Sequence, residues 1–370
     1  MQKKFLALPF IAVIVLGLIF LSTQIPAVKM SPKNLPTAIV SEDAGEMGQT
    51  LVTNLQKQLA KSGVDTLEFK QYQSVSAMKK AMTDKDVYGG IVIPKDFSQQ
   101  FATLQTPKPT QPIIKTYVNQ GANTTVATMM TSALDGIVKQ LNAVMSVEIL
   151  NKMTAAKMTV QPAQVALLQT PIKNEAIIIN EVGKLGTAPT AFFQPLWFAS
   201  ILGAVLFYFA LTKSIFTSTA QQRKFTLATT AIAIVYALFA GYFITWSTTW
   251  MLGYSFESFN TVALFSSLAC LAFLFTILAT LSWLGMPAMA IFILLMFFGL
   301  PLIQLAPEML PDFYAHYILP WLPMKFLIDG LKDILFFGQD LFNKNAIVLI
   351  WLTIIAFIVF ILKQLTHKQA

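Results

Sequence analysis

Six apolar runs without a charge punctuate the chain, at 5–21, 192–211, 227–251, 262–284, 286–303 and 346–362. A bilayer core takes about 20 residues of helix, and lipid offers no partner to an open strand, so each run predicts a transmembrane helix. Lys3 and Lys4 precede the first run, as in a secretory signal, but the run exceeds a signal core and no small-x-small cleavage site follows it. It reads as a retained anchor helix, with cleavage as the alternative.

Between the first two runs the pattern changes. Pro26, Pro32 and Pro36 mark an extended linker. Residues 37–40 then read as a buried strand, and 41–63 as a helix with Leu51, Leu55 and Leu59 on one face. Strand patterns follow at 67–72, 88–94 and 113–118, with a short helix at 75–82. A long helix over 124–153 carries Val126, Met130, Leu134, Ile137, Leu141, Val144 and Ile149 at helical spacing. Ile177, Ile178 and Ile179 form an apolar core readable as strand or helix. Strands alternating with helices predict an α/β domain with a mixed or parallel sheet. The fold class is thus an α-helical polytopic membrane protein, six transmembrane helices in a one-plus-five arrangement, with an extracytoplasmic α/β domain inserted between helices 1 and 2. Its parts are an anchor at 1–23, the α/β domain at 24–190, and a five-helix membrane domain at 191–370 with an external helical hairpin near 304–340.

Charge adds orientation. The chain is 55% hydrophobic and only 12% charged, with a net charge of +8. Placing both termini in the cytoplasm puts Lys3, Lys4, Lys213, Arg223, Lys224, Lys363 and Lys368 inside with no acidic residue beside them. Glu257, Glu308, Asp312, Asp329, Asp333 and Asp340 then lie outside, with residues 24–190. Trp197, Trp246 and Trp250 fall near the outer interface and Trp283 near the inner one. Arg223 is the only arginine among 26 basic residues, which argues against nucleic acid as a partner. One cysteine, Cys270, and two histidines, His316 and His367, leave no framework for a disulfide or zinc site, so no metal or cofactor is expected.

The segments YGGIVIPKDFS at 88–98 and YVNQGANTTVA at 117–127 resemble the external domain of type-2 ABC exporter permeases, and within them the YhgE/Pip (phage infection protein) family. APTAFFQPLW at 188–197 is similar to that family's entry into the second span, and LPDF at 310–313, LPWLP at 319–323 and IDGLK at 328–332 to its external hairpin. Only four residues precede the first run here, whereas type-2 exporters often carry an interfacial helix there. The resemblance implies a permease subunit of the plasma membrane that dimerises and moves a hydrophobic or amphipathic substrate outward, using a separate cytoplasmic ATPase. The alternative is a non-transporting surface receptor or secretion-apparatus scaffold, binding phage or protein through the external domain.

The chain contains no G-x-x-x-x-G-K-[ST] phosphate loop, G-x-S-x-G elbow or H-E-x-x-H helix, so it is not expected to be an enzyme. The uncharged spans also argue against a proton- or sodium-coupled carrier. The cytoplasmic loop 212–226, with Lys213, Arg223 and Lys224, is the candidate ATPase-docking element; the competing explanation is that these cations fix topology and touch anionic headgroups. Thr245, Ser247, Thr248 and Thr249 in one span, and Ser266, Ser267, Thr276 and Thr280 in the next, read as packing residues before a substrate path. Gly241 and Gly299 read as close-contact points. Glu42, Asp43 and Glu46 are expected to favour a helix start, Asp96 to cap a short helix, and the glycines of 88–98 to serve close packing or a turn.

Overall fold

The computed structural model describes residues 32–62, 66–106, 108–157 and 162–366, together with Ile14, Leu18, Leu21, Ser22 and Ile25. The chain divides into two compact units, Met1–Met30 with Val182–Ala370, and Ser31–Glu181. The expected first span, 5–21, lies mostly outside the described residues.

Unit Ser31–Glu181 contains β1 (Leu35–Ser41), α1 (Glu46–Ser62), β2 (Leu67–Gln71), α2 (Val75–Thr83), β3 (Gly89–Ile93), α3 (Phe97–Thr103), β4 (Ile113–Asn119), α4 (Thr124–Ala155), α5 (Pro162–Gln169) and β5 (Lys173–Ile179). The strands form one mixed sheet in the order β2-β1-β3-β4-β5, parallel except where β3 meets β4. β3 is buried along its whole length, as its unbroken apolar run requires. Gly89 and Gly90 alternate across it. A Cβ on Gly89 would strike Met130 of α4, and one on Gly90 would sit 2.8 Å from the Met78 sulfur of α2. The glycines therefore let helices approach closely on both faces, which is the packing role expected of them.

The ambiguous segment around Ile177 is a strand. β5 pairs in parallel with β4, opposing Lys115 to Glu175 and Tyr117 to Ile177. The buried stripe of α4 includes Val126, Met130, Leu134, Val138, Leu141, Met145 and Ile149. Ile137 is only partly buried and Val144 is exposed, so the stripe drifts from the expected one at those two positions. The helix expected from residue 41 begins at Glu46 because Ser41 completes β1. Asp43 is nearly buried, and its carboxylate accepts from the Gly48 amide at 3.2 Å, the Ser98 amide at 3.3 Å and the Ser98 hydroxyl. It clasps the starts of α1 and α3 together. Asp96 does not cap α3; its carboxylate accepts from the Gln100 side chain.

The described residues of unit Met1–Met30 with Val182–Ala370 are mainly helical. A turn of helix at Ala188–Ala191 leads into α6 (Phe193–Lys213), followed by α7 (Thr219–Leu252), α8 (Phe259–Leu284), α9 (Met289–Gln304), α10 (Pro323–Phe336) and α11 (Lys344–Thr366). Among the described residues, five helical segments of this unit are long and apolar enough to cross a membrane, and each overlaps an apolar run of the sequence. With the sheet domain near the N-terminus, the chain is a multi-pass, mostly helical membrane protein. α8 is the hub, packed against α6, α7 and α11 and buried over most of its length. Small residues make this possible: a Cβ on Gly241 of α7 would meet the Ser267 amide and hydroxyl and lie 2.7 Å from the Ala263 carbonyl oxygen. Gly299 is likewise a close-contact point, against Met324 at 2.8 Å.

Several hydroxyls of the apolar helices bond within their own helix, whereas Ser200 also reaches the Cys270 carbonyl of α8 at 3.2 Å and the buried Ser266 hydroxyl has no partner among the described residues. Thr245, Ser267 and Thr276 each donate to the carbonyl four residues back at 2.7 Å, and Ser267 also reaches the Leu238 carbonyl at 3.3 Å. Trp197 packs inside the bundle. It is buried, stacked edge-on against Phe273 with 5.0 Å between ring centroids, and its indole donates to the Phe292 carbonyl at 3.3 Å. The segment expected as a helical hairpin has one regular arm, α10. Its first arm is a series of short turns, because Pro307, Pro311 and Pro320 interrupt the backbone donors.

Candidate functional site at the basic end of the helix bundle

α6 ends at Lys213 and α7 begins at Thr219, so the connector expected over 212–226 is only 214–218. Its brevity has a local cause. The Ser218 hydroxyl accepts from the Gln221 amide at 3.2 Å, while the Gln221 side-chain oxygen accepts from the Thr217 amide and hydroxyl, each at 2.9 Å. This Ser-x-x-Gln capping arrangement starts the helix before the apolar run begins. Arg223 and Lys224 therefore ride on the opening turns of α7, and Lys213 closes α6. All three are exposed at the same end of the α6–α7 hairpin.

α8 and α11 bring further groups to this end. The Trp283 indole donates to the Val359 carbonyl at 3.0 Å, and the Lys363 ammonium lies 5.0 Å from the Trp283 ring centroid. The Gln222 side-chain amide donates to the Gln364 carbonyl at 3.4 Å, tying α7 to α11. The Lys213 ammonium rests 5.0 Å from the Phe209 ring. Among the described residues, none of Lys213, Arg223, Lys224 and Lys363 is ion-paired. Ile215, at the connector's tip, is 91% exposed. Beside it Phe216 folds back onto Phe225, with 5.3 Å between ring centroids. An exposed isoleucine flanked by cations without a carboxylate partner among the described residues is a surface suited to a partner or to headgroups.

The opposite end contrasts with it in charge. Lys325 and Lys332 both pair with Asp329, at 3.0 and 3.8 Å. Asp333 is fully buried and accepts from the Asn345 side chain at 2.7 Å. The Asn343 side chain caps α11, accepting from the Asn345 and Ala346 amides at 3.0 Å each. Here the buried carboxylate locks α10 to α11.

Sequence reasoning placed Lys213, Arg223 and Lys224 at one end but missed the Lys363–Trp283 stack and Ile215. Ile215 and Phe216 did leave a signal, as two large apolar residues interrupting an otherwise polar connector. The charge pattern already put Lys363 on the same side as these cations, but its stack on Trp283 depends on packing of helices far apart in sequence, which no local pattern carries.

No curated protein matches the chain. A crystallised domain of a candidate ABC type-2 transporter from Thermotoga maritima is similar at 17% identity over 39% of this chain and 86% of that one, with a TM-score of 0.29. The family profile described as "ABC-2 family transporter protein" matches residues 4–362, nearly the whole length, and the chain therefore belongs to the ABC-2 transporter family.

Proposed function

We propose that this membrane permease is the transmembrane subunit of an ABC type-2 exporter of the YhgE/Pip branch. It works with a separate cytoplasmic ATPase and moves a hydrophobic or amphipathic substrate outward. The observation that carries this reading is the basic end of the bundle: cations without a carboxylate partner among the described residues and an exposed isoleucine on a helix–connector–helix corner, in a chain of this family without a phosphate loop of its own. The excess of cations supports a cytoplasmic location for that end, and with it an orientation that has both termini inside and residues 24–190 outside. ATP hydrolysis then belongs to the partner. Its stroke reaches α6 and α7 through the capped corner, and a second permease copy or a similar subunit completes the pathway.

The test is affinity purification of the tagged chain from native membranes in mild detergent. A nucleotide-binding ATPase is expected to copurify, and replacing Lys213, Arg223 and Lys224 with glutamine is expected to reduce it without changing topology. Unaltered copurification by the triple variant overturns docking through these residues. Absence of any ATPase from the wild-type preparation overturns the exporter reading.

A further inference from the structure

Two cavities adjoin at the basic end and differ in chemistry. The first, of about 360 Å³, lies among α6, α7, α8 and α11 and is lined by Tyr208, Thr212, Gln222, Ser282, Trp283 and Lys363. The second, of about 270 Å³, runs between α7 and α11 and is lined mainly by Thr226, Leu227, Thr230, Phe357, Ile361 and Leu365, with Arg223 at its edge. Gln222 and Gln364 line both and touch one another between them. One cavity thus offers an ammonium and hydroxyls, and its neighbour continues along the apolar helices.

We infer that this pair of cavities binds one anionic phospholipid, its phosphate on Lys363 and one acyl chain in the α7–α11 groove. Lys363 is held over the Trp283 face without a carboxylate partner among the described residues, and the Tyr208 hydroxyl makes no hydrogen bond among them. Both groups face the polar cavity and suit a phosphate oxygen. Thr212 and Ser282 donate to the carbonyls of Tyr208 and Leu278, so their hydroxyl oxygens add polarity and leave the positive charge to Lys363. The stretches 212–226, 283–289 and 363–366 contain no acidic residue, so a headgroup bearing its own cation would meet only like charge. The adjoining apolar groove favours a lipid over a free phosphate, because phosphate alone leaves it without an occupant. This inference needs only a membrane-spanning chain and stands apart from whether an ATPase docks nearby.

The test is native mass spectrometry of the full-length detergent-purified chain titrated with dioleoyl phosphatidylglycerol, dioleoyl phosphatidylcholine or glycerol 3-phosphate. Phosphatidylglycerol is expected to bind in preference to phosphatidylcholine. Lys363→Gln is expected to weaken it about fivefold, and Lys363→Arg to preserve it. Leu227→Gln, at an exposed groove position, is expected to weaken both lipids. Lys344→Gln, at the far end, is expected to change neither. Equal binding of the two lipids by the wild type, or an unchanged preference in Lys363→Gln, overturns the assignment. Displacement of phosphatidylglycerol by glycerol 3-phosphate overturns it in favour of a free-phosphate site. Should Lys363→Gln not purify, Leu227→Gln decides alone: unaltered lipid binding overturns the acyl groove.

Discussion

Replacing Gly241 with alanine puts a methyl group where α7 and α8 already touch through their backbones. The added carbon would lie 2.7 Å from the Ala263 carbonyl oxygen and would also meet the Ser267 amide and hydroxyl. Two of these obstacles are main chain, so rotation of a side chain cannot relieve the clash and α7 must move away from α8. Overpacking of this kind costs about 1–3 kcal/mol. The separation also loosens the hydrogen bond from Ser267 to the Leu238 carbonyl, about 1 kcal/mol net. Alanine recovers about 0.8–1.0 kcal/mol of helix propensity. The balance is a loss of about 2 kcal/mol, roughly a 30-fold shift in the unfolding equilibrium. Unfolding of the purified chain in mixed micelles of rising SDS mole fraction reads this directly. A Gly241→Ala variant within about 0.5 kcal/mol of the wild type would refute close backbone contact as the reason for the glycine.

Gly136 is the converse case, since a Cβ there meets nothing within 4 Å on helix α4, and Gly136→Ala is expected to stabilise by about 0.8–1.0 kcal/mol in a denaturation curve. Asp43→Ala removes the acceptor shared by the α1 and α3 starts and is expected to cost about 2 kcal/mol, seen as faster amide exchange at Gly48 and Ser98. Asp333 and Asn345 are expected to couple by about 1–3 kcal/mol in a double-mutant cycle; additive effects would contradict the buried hydrogen bond. Burial first, then the charges of Glu175 and Glu42, holds the Tyr117 phenol above its ordinary value. Its contribution is fully present below the unfolded value of about 10 and is lost as pH rises through the folded value, so Tyr117→Phe is expected to flatten the alkaline limb of a pH–stability profile.

The spans were legible because lipid penalises charge so heavily that uncharged runs can hardly be anything else. All five runs from 192 onward coincide with observed helices. Helix ends were not legible by the same means. α7 extends eight residues beyond its apolar run, through Arg223 and Lys224, because Ser218 and Gln221 cap it in a stretch that hydropathy alone treats as loop. Trp197 shows a different limit. Near a span's end it resembles an interfacial anchor, yet its partners Phe273 and Phe292 come from α8 and α9. The choice between helix and strand at Ile177 also needed a tertiary partner, the register with β4. Of the site, the cations were visible in the sequence, whereas the indole beneath Lys363 and the cavities beside it exist only after folding.

Labelling intact cells with a membrane-impermeant thiol reagent tests the central claim most directly, that the α/β unit and the basic corner lie on opposite sides of the membrane. In a Cys270→Ala background, Lys139→Cys on exposed α4 should react at once, and Ile215→Cys only after permeabilisation. Reaction of Ile215→Cys in intact cells, with Lys139→Cys protected, would contradict the orientation and the docking that depends on it.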